Sequence, residues 1–179
     1  LAGPGARRPR APPRVQHHAA RGYTDEAADA AVELLLREEI AGERPPYFRV
    51  ESWRTIVERA GSRGTEATAE ATVKLHAGGE RIGSTGEGNG PVNALDHALR
   101  LALGRASPAP DVLELSDGNV RTLDTEQGTD AGTRVLIETT DGSTSWSTVG
   151  VGPNLIEAAW EALTDSAIYG LVHAGVEPR

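Results

Sequence analysis

A displacement of 64 residues lays the second half of this chain on the first. It sets Ile56 on Val120, Val73 on Ile137, Gly78 on Gly142, Gly86 on Gly150 and Gly88 on Gly152. It also sets Val92 on Ile156, Ala94 on Ala158, Ala98 on Ala162 and Leu99 on Leu163, with no gap between Val73 and Leu99. The matches fall on turns, strand-to-helix junctions and helix stripes, where a duplicated fold demands the same residue type. A chain of 179 residues has room for one ordinary domain with a core and hardly for two. The repeat therefore describes two halves of one body.

Each half reads as β-β-β-α. In the first, 48–59 and 66–76 alternate like strands on either side of a turn-rich stretch, and Gly78-Gly79 makes a tight turn into a third strand, Glu80 to Thr85. Pro91 then opens a helix with the stripe Val92, Leu95, Leu99, Ala102 and Leu103. The expected fold is α+β: two pseudo-twofold-related β-β-β-α units forming one domain over 47–179, unit one about 47–104 and unit two about 111–172. Ahead of them, at 23–46, the pattern predicts a linker helix at about 24–40. Thr24 caps it, Ala28, Ala31, Val32, Leu35, Leu36 and Ile40 form its stripe, and Gly42 and Pro45-Pro46 end it. Residues 1–22 read as a disordered leader, since Pro4, Pro9, Pro12 and Pro13 forbid a regular helix.

Charge separates that leader from the rest. It holds five arginines and no acid, leaving 13 basic against 26 acidic side chains in the remainder. So acidic a body repels phosphate backbones, which argues against nucleic acid as a partner. No run of apolar residues is long enough to span a membrane. The absence of cysteine excludes disulfides, thiolate metal sites and cysteine catalysis.

Chemistry-bearing motifs are few. GEGNGPVNALDHAL at 86–99 puts glycines between a strand and a helix, where backbone N–H groups can meet an anion. It lacks the third glycine at dinucleotide spacing, sits in β-β-β-α rather than β-α-β, and has no Gly-Lys-Ser/Thr, since Lys74 is the sole lysine. A tight strand-to-helix turn, or a small zwitterionic ligand held by exposed turn amides, fits it better. Asp117, Asp124, Asp130 and Asp141 keep the company of turn aspartates. His76, His97 and His173 are isolated, and no metal-binding or nucleophile motif occurs. This chain alone is read as no enzyme, with no cofactor and no metal. Trp146 and Trp160 read as core, with a partner subunit as the other use of Trp160.

Several separated stretches, EGNGPVNALDHAL, GTDAGTRVLIETTDG, SWSTVGVGPNLIEAAWEALTDSAIY and GYTDEAADAAVELLL, carry a resemblance. Together they resemble the C-terminal regulatory part of the 2-isopropylmalate synthase and citramalate synthase family, closest to the citramalate branch, from about Gly22 to Leu171. The resemblance implies an allosteric, dimerising domain of an acetyl-CoA-dependent acyltransferase in leucine or isoleucine biosynthesis. A metal-binding TIM barrel precedes this domain in the complete enzymes, and nothing here matches it. The implied partners are a second copy, a branched-chain amino acid (leucine or isoleucine) and a catalytic barrel on the parent or a neighbouring chain; the implied location is cytoplasmic. The implied effector pocket takes Gly88, Asn89, Gly90, Pro91 and Val92 as one wall, Leu115, Asp117 and Thr122 from a neighbouring strand, Ala131 and Thr133 from the GTDAGT loop, and Pro153, Asn154 and Leu155 from the second turn. Two departures from the family pattern stand out: Gly118 stands where an aromatic is usual, and Gly152-Pro153 stands where Ser-Glu is usual. A dimer scaffold without effector binding is the alternative reading.

Overall fold

A computed structural model describes residues 29–59, 67–106 and 133–178 in full and the backbone of 114–123. The leader, the Thr24 cap and Ala131 lie outside the described residues. The first element, α1 (Asp29–Ala41), is followed by β1 (Arg49–Glu58), β2 (Thr68–Ala77), β3 (Glu80–Gly88) and α2 (Pro91–Ala106). Then come β4 (Glu114–Leu123), β5 (Thr133–Thr140), β6 (Ser145–Gly152) and α3 (Leu155–His173). The architecture is α+β, with antiparallel sheets ordered β1-β2-β3 and β4-β5-β6. Each sheet is followed by its helix, as the repeat requires.

The repeat holds at the level of single bonds. Ala69 faces Gly88 and Val73 faces Ser84 across β2 and β3, while Thr133 faces Gly152 and Ile137 faces Thr148 across β5 and β6. Ser84 Oγ donates to the Ala98 carbonyl at 2.6 Å, and Thr148 Oγ1 donates to the Ala162 carbonyl at 2.8 Å. Each hydroxyl is buried, so its partner offsets the cost of desolvation. Before Val73 the correspondence slips. Val73 faces Trp53, but Ile137 faces Val120, whose counterpart is thus Trp53 and not Ile56. The cause is a shorter connection, since 17 residues separate Val120 from Ile137 where 20 separate Trp53 from Val73. A larger bulge in β4, between Leu115 and Val120, than the one between Val50 and Ser52 in β1 takes back two of the three.

Alternation sets the core. On β2, Ala69, Ala71, Val73, Leu75 and Ala77 turn inward and are buried. Alanines at one end and larger side chains further on let the α2 backbone lie close to the glycine end of β3. Val135, Ile137 and Trp146 do the same work under α3, and these residues join Leu95, Leu99, Trp160 and Leu163 in one core. Full burial of a side chain such as Leu75 stabilises the fold by about 1.5–3 kcal/mol. The third strand runs to Gly88, past the expected end at Thr85, because the β2 ladder continues through Gly86 and Gly88.

Trp160 is 9% exposed, and its ring lies 5.7 Å from that of Trp53. Its partner is therefore the other unit of its own chain, not a second subunit. The linker helix also sits differently from its stripe. Ala30, Ala31 and Leu34 are its buried residues, while Val32, Leu36 and Ile40 face outward at 36%, 41% and 87% exposure. Ala31 packs on Leu136 and Val149, on the face of the second sheet opposite α3. The corresponding face of the first sheet carries Thr72 and Thr85 instead, and it is open to solvent. Among the described residues, one repeat is covered on both faces and the other on one.

Candidate functional site

The two strand-to-helix turns carry most of the expected pocket, and glycine explains their shape. A Cβ on Gly86 would meet Ala98 N at 2.4 Å, and one on Gly150 would meet Ala158 O at 1.9 Å. Gly88 and Gly152 are crowded in the same way, by Ala94 N at 2.8 Å and Ala158 N at 2.7 Å. None of these four has positive φ. They are glycine so that a helix backbone can lie directly on a strand. Gly88 and Gly152 therefore serve packing first.

The turns differ in what they leave open. Asn154 caps α3: its Oδ1 accepts from the N–H groups of Ile156 and Glu157, both at 3.0 Å, and its amide donates to Glu157 Oε1 at 3.0 Å. The counterpart of Asn154 in the first unit is Gly90, whose carbonyl accepts from Ala94 N at 3.0 Å but which has no side chain to cap with. Pro91 has no N–H to satisfy. The Asn89 side chain accepts from Asn93 on the next turn. The N-terminal amides of α2 are thus the more open of the two sets, and the two turns are not equivalent.

The remaining expected residues scatter. Val92 is 9% exposed and packs within the core, so its side chain belongs to the fold. Leu155 is 40% exposed, and Pro153 is exposed. Thr133 is the first residue of β5, not part of a loop, and faces Gly152. Leu115 and Thr122 both lie on β4, as expected, but face Thr139 and Val135 respectively, about 13 Å apart along β5. Asp117 falls in the β4 bulge. Backbone register therefore gathers Thr122, Thr133 and Pro153 at one end of the second sheet and leaves Leu115 towards the other.

One neighbour of the first turn escaped the sequence reading. Val57 faces Ala69, which faces Gly88, so Val57 lies two strands from the turn, on the edge of the first sheet. It is 58% exposed, and two residues earlier Thr55 Oγ1 is buried without a hydrogen-bond partner. The inward parity of β1, continued from Trp53, is the signal that identifies both. An open cleft of about 230 Å³ lies at the opposite end of the sheet, lined by Tyr47, Phe48, Arg49, His76 and the Gly78-Gly79 turn. It shares no residue with the expected pocket.

Where the units meet, α2 and α3 enclose a void of about 10 Å³ beside Asp96, Arg100, Thr139 and Ser166. Trp146 Nε1 donates to Ser166 Oγ at 3.0 Å, which donates to Thr139 Oγ1 at 2.6 Å. Burial pushes the Asp96 carboxyl above the usual aspartate range, against the opposing pull of Arg100, to which it is hydrogen-bonded. Among the described residues no three or more His, Cys, Asp or Glu gather as a metal site, and no helix is long and apolar enough to cross a membrane.

Residues 26–171 match the LeuA allosteric (dimerisation) domain. The chain is similar to (R)-citramalate synthase of Streptomyces coelicolor, 54% identical over 165 residues that make up 92% of this chain and 30% of that protein. It is similar also to (R)-citramalate synthases of Synechocystis sp. and Aquifex aeolicus, each 43% identical over 84% of this chain and 28% of the relative. The chain thus spans less than a third of the length of these relatives. With a duplicated β-β-β-α body, and a family match running from just before α1 almost to the end of α3, this chain belongs to the LeuA allosteric (dimerisation) domain family.

Proposed function

We propose that this chain is the regulatory and dimerisation region of a citramalate-synthase-type acyltransferase of branched-chain amino-acid biosynthesis, working as a homodimer in the cytoplasm. The observation that carries the reading is the family match over 26–171, joined to relatives that are all several times longer than the matched region. Condensation of acetyl-CoA with a 2-oxo acid then belongs to the part of the parent enzyme outside this span. The purified chain is expected to release no thiol from acetyl-CoA with pyruvate; release by this chain alone would overturn the assignment.

The ligand in this reading is a branched-chain amino acid. Isoleucine is preferred to leucine, because the relatives are citramalate synthases and the resemblance pairs isoleucine with that branch. Its carboxylate is received by the N-terminal amides of α2, where backbone donors and the helix dipole both favour negative charge. Calorimetric titration with isoleucine, leucine and valine tests this. Isoleucine is expected to give heat and to raise the melting temperature at millimolar concentration, and Asn89→Ala to weaken binding with little loss of stability. A second reading, a dimer scaffold without effector, draws on the capped amides of the second turn. It replaces the first if none of the three amino acids produces heat or a shift in melting temperature.

A further inference from the structure

β1 is an edge strand: β2 lies on one side, and no described strand pairs with the other. Natural sheets blunt such edges with short strands, bulges, proline or inward-pointing charge. β1 has 10 residues, and beyond its one bulge at Val50–Ser52 the stretch to Glu58 is regular. Ile56 and Val57 on that stretch are 51% and 58% exposed, and no other strand among the described residues exposes a large apolar side chain to this degree. Ile56 lies on the outer face and Val57 on the helix side, so the edge is apolar on both faces at one level. Only a strand laid along the edge covers both.

The charges indicate which strand that is. On the outer face Arg54, Ile56 and Glu58 follow one another, all exposed, and neither Arg54 nor Glu58 has a partner among the described residues. A second β1, antiparallel and centred on Ile56, sets each Arg54 opposite the other copy's Glu58 and Ile56 opposite itself. Centring it on Arg54 or on Glu58 would instead put like charges face to face, which destabilises a cross-strand pair. The order of charges is thus self-complementary in one register.

We infer that the free edge of β1 is the seam at which a second copy of this chain adds, antiparallel about a twofold axis near Ile56, making one six-stranded sheet from two three-stranded ones. The inference rests on the homodimer reading above and names the surface that reading leaves open. The row Val57, Ala69, Gly88 puts the seam about 10 Å from the first turn. Occupancy of that turn and pairing across the seam are then events in the same sheet.

Sedimentation equilibrium on the purified chain, with circular dichroism to confirm folding, tests the seam through charge exchange. Arg54→Glu and Glu58→Arg each create two like-charge contacts across the axis and are expected to raise the dimer Kd about tenfold or more. The double variant R54E/E58R restores opposite charges in both contacts and is expected to return the Kd to near the original value. Ile40→Glu, on the most exposed apolar position of α1, is the control and is expected to change nothing. A dimer whose Kd is unmoved by either single variant, or not rescued by the double, overturns the seam and leaves the homodimer reading standing. A chain that stays monomeric at about 100 μM, where a standard interface holds, overturns both.

Discussion

At Gly150 the chain has no freedom to be anything but glycine, because the position a Cβ would take lies 1.9 Å from the Ala158 carbonyl oxygen. The obstacle is backbone, which no rotamer change relieves. Gly150→Ala is expected to cost about 3 kcal/mol or more in urea unfolding, at the upper end of overpacking penalties. Gly88→Ala is expected to lose stability too, so it cannot serve as a clean test of ligand approach; Asn89→Ala can. At the second turn Asn154→Ala removes a side chain that satisfies two amides, and is expected to cost about 1 kcal/mol. These residues were visible in the sequence as a repeated Gly-x-Gly. Their reason was not visible, since closeness of helix to strand and closeness of ligand to turn both demand the same missing Cβ.

Elements were legible where one period dominated. The strands and both repeat helices appear within a few residues of expectation, because glycine turns punctuate both units and Pro91 opens the first helix. The facing of α1 was not legible. Its apolar residues fall on two sides, and only the apolar Leu136 and Val149, against Thr72 and Thr85 at the repeat positions, reveal which sheet it covers. The larger bulge in β4 was hidden for a related reason: turn residues such as Asp117-Gly118 are equally at home in a bulge. Between elements, the contact of α2 with α3 carries a titration. Asp96 has its carboxyl raised by burial, so the folded state holds its proton more tightly than the unfolded chain does. Stability is then lost as pH rises from the ordinary aspartate range through the raised value. Asp96→Asn is expected to flatten that dependence and to raise the melting temperature at pH 7; thermal melts from pH 3 to 8 check it.

For the whole molecule, the decisive fact is that the two units share one core. Trp53 of the first sheet meets Trp160 of α3, and residues of both units belong to a single buried cluster. Trp160→Ala is expected to cost about 3–5 kcal/mol, as large aromatic truncations do, and to leave one cooperative transition. Two separated transitions in calorimetry would mean that the units fold alone. The glycine seats bear on how such a chain can change length over evolutionary time. Gly86 meets Ala98, and Gly150 meets Ala162, at the same interval in both units. An insertion or deletion inside that interval would unseat the helix from its strand, so natural variation in length is pushed upstream, where a bulge can absorb it. β4 has done so: it carries two more residues through its bulge than β1 does, while every position from Val73 to Leu99 keeps its place in the copy. A single alanine inserted between Leu115 and Val120 should therefore be tolerated, and the same insertion between Gly150 and Leu155 should not.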